Sequence, residues 1–175
     1  MEIWVKNGWI RVLICLLVFL PSACIEEEDI DLEEVVKVGD MLPNFTVTMN
    51  DGRVVTSDSL RNTTSVVMFF HTTCPDCQQA LPRVQRLYDK FSSEGVSFVL
   101  ISREEEAASI AAFWKANGLT LPYSPQSDRR VYELFAHRRV PRIYVSDRQR
   151  VVRYVFTYNP LPAFEEMSEI LQDML

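Results

Sequence analysis

The chain has 175 residues and a formal net charge of −6; 47% of its residues are hydrophobic and 24% are charged. This length and composition are those of one globular domain with its own core. Nucleic-acid binding is not expected, because contacts to phosphates usually need a basic face.

The first 23 residues are predicted to be a signal peptide. An apolar run at residues 12–20 follows two basic residues, is too short for a permanent membrane helix, and leads to a small Ser-Ala pair. Residues 20–24, Leu-Pro-Ser-Ala-Cys, resemble the lipobox of bacterial lipoproteins, although the leucine lies one place further upstream than usual. The resemblance implies that Cys24 is lipidated and anchors the protein in a membrane. A transmembrane anchor and an ordinary cleaved signal are the alternatives.

Residues 24–37 are predicted to be an acidic tether, and residues 38–175 a single folded domain. Seven of the ten residues at 25–34 are acidic, and such a run repels itself and stays solvated. We expect the protein in the cell envelope, as a periplasm-facing lipoprotein, with the outer membrane or the cell surface as further options.

The folded part opens with a predicted hairpin at residues 44–57, where apolar residues alternate around an Asp-Gly turn. Two continuous apolar runs, at residues 65–70 and 96–102, are typical of strands covered on both faces. A helix follows each run, and a capping box of Ser102 with Glu105 is predicted to start the second helix, which ends at Gly118.

A proline-rich loop at residues 121–128, a short helix at 128–136, a second hairpin at 142–156 and an amphipathic helix at 163–175 complete the prediction. Alternating strands and helices around continuous apolar strands indicate an α/β domain. We therefore expect a central mixed sheet flanked by helices, extended at its N-terminus by a hairpin.

Cys74 and Cys77 lie where the first buried strand ends and a helix begins. Backbone N–H groups and the dipole at a helix N-terminus stabilise negative charge, which favours the thiolate of Cys74. Cys77, one turn further on, is close enough to attack a mixed disulfide formed by Cys74. Pro75 suits the first helical turn, where its missing N–H costs nothing, while the charge of Asp76 opposes a nearby thiolate.

The Cys-Pro-Asp-Cys motif, followed by a helix that contains Pro82, resembles the active site of the thioredoxin superfamily. Residues 38–55 are similar to the opening of its redoxin branch, the membrane-anchored TlpA-like thiol–disulfide oxidoreductases. Residues 138–152 resemble the segment of that branch that carries a cis-proline. The likeness extends over residues 38–175.

This resemblance implies a thioredoxin-like fold and a protein disulfide oxidoreductase that needs no cofactor. Cys74 would be the nucleophile and Cys77 the resolving thiol, and the two would alternate between dithiol and disulfide. Val140 and Pro141 would form a cis peptide facing them, with the backbone of Val140 offered to an extended substrate chain. Expected partners are protein thiols and disulfides and a membrane electron-transfer protein, with reduction of substrates favoured over oxidation.

The chain departs from the family pattern at three positions. Thr73 replaces a common tryptophan, Ala80 replaces a buried glutamate that helps proton transfer in some relatives, and Arg142 replaces a common threonine. No proton acceptor is assigned in place of that glutamate. The cluster of Arg138, Arg139 and Arg142 is interpreted as solvated, with docking of an acidic partner as the alternative.

Three alternatives to a redox-active pair are considered for the two cysteines. A thiol peroxidase would share the fold, but its Pro-x-x-x-Thr-x-x-Cys pattern fails here, because Val67 and His71 occupy the proline and threonine positions. A copper- or zinc-binding chaperone could use Cys74 and Cys77 with a histidine, and His71 and His137 are the only two. A merely structural disulfide is disfavoured, because so short a loop stabilises little.

Overall fold

The computed structural model describes residues 35–175, which belong to one compact unit. The predicted signal peptide, Cys24 and most of the predicted tether lie outside the described residues. The chain enters the fold before the predicted start at residue 38, because Val36 is buried and the N–H groups of Val35 and Val36 both donate to the carbonyl of Phe135. Within this described part, the helices are all too short or too polar to cross a membrane.

Residues 35–175 contain seven strands and four α-helices, in the predicted order apart from one additional short strand, β5. The strands are β1 (Thr46–Thr48), β2 (Val54–Thr56), β3 (Ser65–Phe70), β4 (Ser97–Ser102), β5 (Tyr123–Ser124), β6 (Arg142–Ser146) and β7 (Val152–Phe156). The helices are α1 (Pro75–Phe91), α2 (Ala107–Asn117), α3 (Arg130–Glu133) and α4 (Phe164–Asp173).

The main sheet has the strand order β5-β4-β3-β6-β7, and β1 with β2 forms a separate antiparallel hairpin. β3 runs parallel to β4 and antiparallel to β6, so the sheet is mixed, as predicted. All six residues of β3 are buried, which explains why its apolar run shows no alternation. The fold is thioredoxin-like, and its central strand delivers the chain directly to Cys74.

Successive aromatic residues of β3 pack on opposite faces of the sheet. Phe69 contacts Phe135 with ring centroids 4.8 Å apart, whereas Phe70 contacts Trp114 of α2 at 5.0 Å. Side chains of neighbouring residues on a strand point to opposite faces, so both faces of the central strand are covered. This packing fixes the end of β3, from which the Cys-Pro-Asp-Cys segment starts.

Two local predictions are wrong. The capping box of Ser102 with Glu105 does not form, since α2 begins after Glu106, without a side-chain cap. Ser102 instead ends β4 and its hydroxyl accepts the N–H of Gln126 at 2.7 Å. The predicted loop at residues 121–128 contains β5, whose two residues pair with Leu100 and Ile101, and so short a strand carries no sequence pattern of its own.

Candidate active site

Cys74 is the N-cap residue of α1, and Pro75 occupies the first turn of that helix. The backbone N–H of Cys74 donates to the carbonyl of His71, and its own carbonyl accepts the N–H of Gln78. Its side chain forms no capping bond to the helix, and Cys74 is partly exposed. A partly exposed sulfur at a helix N-terminus is the arrangement that favours an attacking thiolate.

Cys77 is fully buried one turn deeper in the same helix. Burial raises the pKa of the Cys77 thiol far above its ordinary value, a hydrogen bond from the His71 backbone lowers it, and the neighbouring Cys74 raises it again. The positive charge of Arg103 also lowers it. Both cysteines are free thiols in the structure, so the site is described in its reduced form.

The raised pKa of Cys77 predicts how the stability of the reduced protein depends on pH. Below the pKa of a cysteine in the unfolded chain, both states keep the proton, and Cys77 does not change the free energy of unfolding with pH. Above about pH 9 the unfolded chain loses this proton first, so the free energy of unfolding falls by about 1.4 kcal/mol per pH unit. Urea unfolding of the reduced protein between pH 8 and pH 10 measures this slope. The Cys77→Ala variant should show a shallower decline, and parallel curves for the two proteins would contradict the assignment.

The loop at residues 137–140 lies across from Cys74 and is held by side chains from four positions. The carbonyl of His137 accepts a hydrogen bond from Nη2 of Arg129 at 2.7 Å, and the carbonyl of Arg139 accepts one from the hydroxyl of Tyr132 at 2.6 Å. The carbonyl of Arg138 accepts Nε and Nη2 of Arg142 at 3.1 and 3.0 Å. The carbonyl of Val140 accepts the thiol of Cys74 at 3.2 Å.

The sequence predicted two features of this loop correctly. The Val140–Pro141 peptide is cis, and it faces Cys74 through the carbonyl of Val140.

Asp76 is partly exposed in the first turn of α1 and Pro75 is exposed, so both lie at the rim of the site. The structure thus brings together Cys74, Cys77 and the Val140–Pro141 pair from segments far apart in the chain.

The interpretation of Arg142 as solvated is wrong. Its side chain is 2% exposed, whereas Arg138 and Arg139 are exposed. Arg142 is the first residue of β6 and pairs with Phe69 of the central strand, so its side chain enters the packed interior. The guanidinium supplies donors to a loop carbonyl that has no strand partner, which satisfies a buried polar group.

The sequence assigned Glu105 to a helix cap and so missed its role at the site, where its buried carboxylate holds the segment just before Cys74. It accepts the N–H of Thr72 at 2.9 Å and the hydroxyl of the same residue, and one of its oxygens lies 3.8 Å from Nδ1 of His71. A usable signal was present, because Glu105 follows the second apolar run, the next predicted strand after the one that leads to Cys74. The carboxyl ends of parallel strands meet at one edge of a sheet.

The described residues assemble no third metal ligand around the two cysteines. Within residues 35–175, no group of three or more histidine, cysteine or acidic residues is placed to hold a metal ion. His137 is exposed on the loop, and Nδ1 of His71 contacts Thr73, as expected for a histidine at a strand end. The metal-chaperone alternative therefore has no ligand set in the described part of the chain.

Comparison with known proteins adds a family and several relatives. The AhpC/TSA family model matches residues 38–155. The thiol-disulfide oxidoreductase ResA of Bacillus thuringiensis (strain Al Hakam) is 22% identical over 116 residues, which cover 66% of this chain and 67% of that protein. ResA of Geobacillus kaustophilus is 24% identical over 122 residues, covering 70% of each chain.

Solved structures share the fold. A thiol:disulfide interchange protein of the thioredoxin family from Chlorobium tepidum TLS superimposes with a TM-score of 0.68 at 22% identity, covering 79% of this chain and 97% of that one. The thioredoxin domain of a thiol-disulfide oxidoreductase from Bacteroides vulgatus gives 0.68 at 16% identity, with the same coverages.

Proposed function

The chain belongs to the AhpC/TSA family, and on that premise we propose that it is a thiol–disulfide oxidoreductase that exchanges its Cys74/Cys77 pair with the disulfides of other proteins. The observation that carries the proposal is the pairing of a partly exposed Cys74 at the start of α1 with a buried Cys77 one turn deeper. The relatives named thiol-disulfide oxidoreductase ResA support it.

The reaction proceeds in two displacements. The thiolate of Cys74 attacks one sulfur of a substrate disulfide, the substrate S–S bond breaks, and one substrate thiolate leaves and takes up a proton. Cys77 then loses its proton and attacks Cys74 Sγ, which releases the second substrate thiol. The substrate disulfide gains two electrons, and the dithiol loses two as it becomes a Cys74–Cys77 disulfide.

The loop carbonyl of Val140 supports a role in substrate binding. It lies 3.2 Å from Cys74 Sγ, so an extended chain hydrogen-bonded to Val140 would place its own sulfur beside the nucleophile. Backbone pairing of this kind binds many sequences, because the main-chain hydrogen bonds are common to all of them. The site is therefore suited to several protein substrates rather than to one small molecule.

The finer parts of the proposal rest on the sequence. Residues 1–23 act as a signal peptide, Cys24 carries a lipid anchor, and residues 24–37 hold the domain, residues 38–175, away from the membrane. We place the protein in the cell envelope, where an oxidising environment allows the disulfide to persist. A membrane electron-transfer protein would return the pair to its reduced form, so that the protein works as a reductant.

The purified protein should catalyse the reduction of insulin by dithiothreitol, with turnover that requires both cysteines. Equilibration of the Cys74/Cys77 pair with glutathione then gives the direction of electron flow. A potential near about −270 mV, that of thioredoxin, supports a reductant, and one near about −120 mV an oxidant. Rapid turnover of hydrogen peroxide without insulin reduction would replace the proposal with a thiol peroxidase.

A further inference from the structure

The paired part of the central strand ends before the chain reaches Cys74. The N–H of Arg103 donates to the carbonyl of Phe70, the last residue of β3, at 2.8 Å. Residues 71–73 separate Phe70 from Cys74. Their backbone groups need partners other than the strand ladder, because buried backbone groups are costly to leave unpaired.

Thr72 is held by side chains from two other parts of the chain. Its N–H donates to Oε2 of Glu105 at 2.9 Å, and its hydroxyl donates to Oε1 of the same carboxylate. Its carbonyl accepts a hydrogen bond from Nε2 of Gln78, a residue of α1, at 2.7 Å. Thr72 is buried, and each of its polar groups is thus fixed by a side chain.

The hold on Thr72 is passed to Cys74 through a tight turn. The N–H of Cys74 donates to the carbonyl of His71 at 3.1 Å, and the carbonyl of Cys74 accepts the N–H of Gln78 at 3.0 Å. At the end of this turn, Cys74 Sγ lies 3.2 Å from the carbonyl of Val140. A displacement of Thr72 would therefore move the sulfur relative to that carbonyl.

Glu105 is itself anchored, so it can keep Thr72 in place. Its backbone N–H donates to the carbonyl of Gln126 at 2.8 Å. Its side chain is buried, and its only ion pair within residues 35–175 is with His71, whose Nδ1 lies 3.8 Å from Oε2. A buried carboxylate is costly unless it is hydrogen-bonded, so the two donors of Thr72 also stabilise Glu105 in this position.

We infer that Glu105 is a positioning residue, which acts through Thr72 to keep Cys74 Sγ opposite the carbonyl of Val140. The inference rests on the proposed function and concerns only its first displacement, in which Cys74 attacks a disulfide of a chain bound along Val140. Glu105 exchanges neither a proton nor an electron in this step.

The effect of this positioning depends on the substrate. A protein chain bound along the loop brings its disulfide to one fixed place, so the attacking sulfur must be held to match it. A displacement of about 1 Å can cost about a hundredfold in rate. A small reagent that does not bind along Val140 approaches Cys74 freely, and its reaction requires only a reactive thiol.

Two reactions of the purified protein separate these cases: insulin reduction by dithiothreitol, and alkylation of Cys74 by iodoacetamide, followed at that residue by peptide mass spectrometry. Glu105→Ala should lower insulin turnover about tenfold or more and leave the alkylation rate within about threefold of the wild type. Glu105→Gln, whose amide oxygen can still accept the N–H of Thr72, should stay within about threefold in both reactions. Glu106→Gln, a change at the exposed neighbouring glutamate, should alter neither rate.

Insulin turnover by Glu105→Ala within about twofold of the wild type would overturn the inference, because the expected loss is far larger. So would an equal slowing of both reactions, which would place the effect on the thiol rather than on its position. A Glu105→Gln protein as slow as Glu105→Ala, with both folded, would overturn it as well.

Thr72→Val decides the question if Glu105→Ala does not fold, because it removes only the hydroxyl contact to Glu105. A loss of insulin turnover by about threefold, with alkylation of Cys74 unchanged, supports the inference, and unchanged insulin turnover overturns it. A wild-type protein that does not reduce insulin would instead refute the proposed function.

Discussion

A Cys74→Ser variant is expected to lose insulin-reducing turnover by about a thousandfold or more, the scale seen when an essential nucleophile is removed. A serine hydroxyl at the start of α1 is not ionised near neutral pH and cannot attack a disulfide sulfur, although the helix terminus around it is unchanged. The measurement is the rate of insulin reduction by dithiothreitol with the wild type and the variant at equal concentration.

The matched control is Cys77→Ser, which should fail at a different point. Cys74 of this variant still attacks, so the mixed disulfide with the substrate accumulates and can be detected as a mass increase that dithiothreitol removes. Unfolding midpoints close to the wild type would show that both variants are folded. Full turnover by Cys74→Ser, or a mixed disulfide formed through Cys77 in that variant, would refute the assignment of the nucleophile.

The second large effect is expected from Phe69→Ala, which should lower the free energy of unfolding by about 3–5 kcal/mol. Phe69 is fully buried in β3, and its ring lies 5.4 Å from Tyr132, 4.8 Å from Phe135 and 6.3 Å from Tyr144. Truncation removes the ring and leaves a cavity among these aromatic side chains. Urea unfolding of the oxidised proteins measures the loss.

The same truncation should also reach the site. Tyr132 holds the carbonyl of Arg139 at 2.6 Å, so a cavity below its ring loosens the loop that places Val140 opposite Cys74. Tyr154→Ala on β7 is the matched control, because that tyrosine is 40% exposed, and its loss should cost less than about 0.5 kcal/mol. A Phe69→Ala protein as stable as Tyr154→Ala would contradict this account of the core.

The central strand and its two cysteines could be predicted from the sequence because their signals are local. Five consecutive apolar residues in β3, at positions 66–70, indicate burial on both faces, and a Cys-Pro pair that begins four residues after them indicates the start of a helix. Local patterns of this kind depend only on residues a few positions apart, so they survive without knowledge of the fold. The mixed sheet follows from the order of such elements, since short connections limit the topologies.

The prediction for Arg142 failed because burial of a charged side chain depends on remote atoms. The guanidinium is held by the carbonyl of Arg138 and lies in a strand that pairs with β3, and neither fact has a sequence signature. Glu105 was misassigned for a related reason. A Ser-x-x-Glu pattern commonly caps a helix, but here the carboxylate finds Thr72 across the sheet edge.

What the sequence determined by itself is the chemistry carried by neighbouring residues: a nucleophile at a helix start, a partner thiol one turn on, and the strand that delivers them. What only the tertiary structure decided is the environment of those sulfurs. The carbonyl of Val140 reaches Cys74 from 66 residues away, and the buried carboxylate of Glu105 reaches Thr72, two residues before Cys74, from beyond the neighbouring strand. The physical reason is that buried polar groups must be satisfied by whichever partners the packing brings near, and packing joins residues that no short sequence pattern connects.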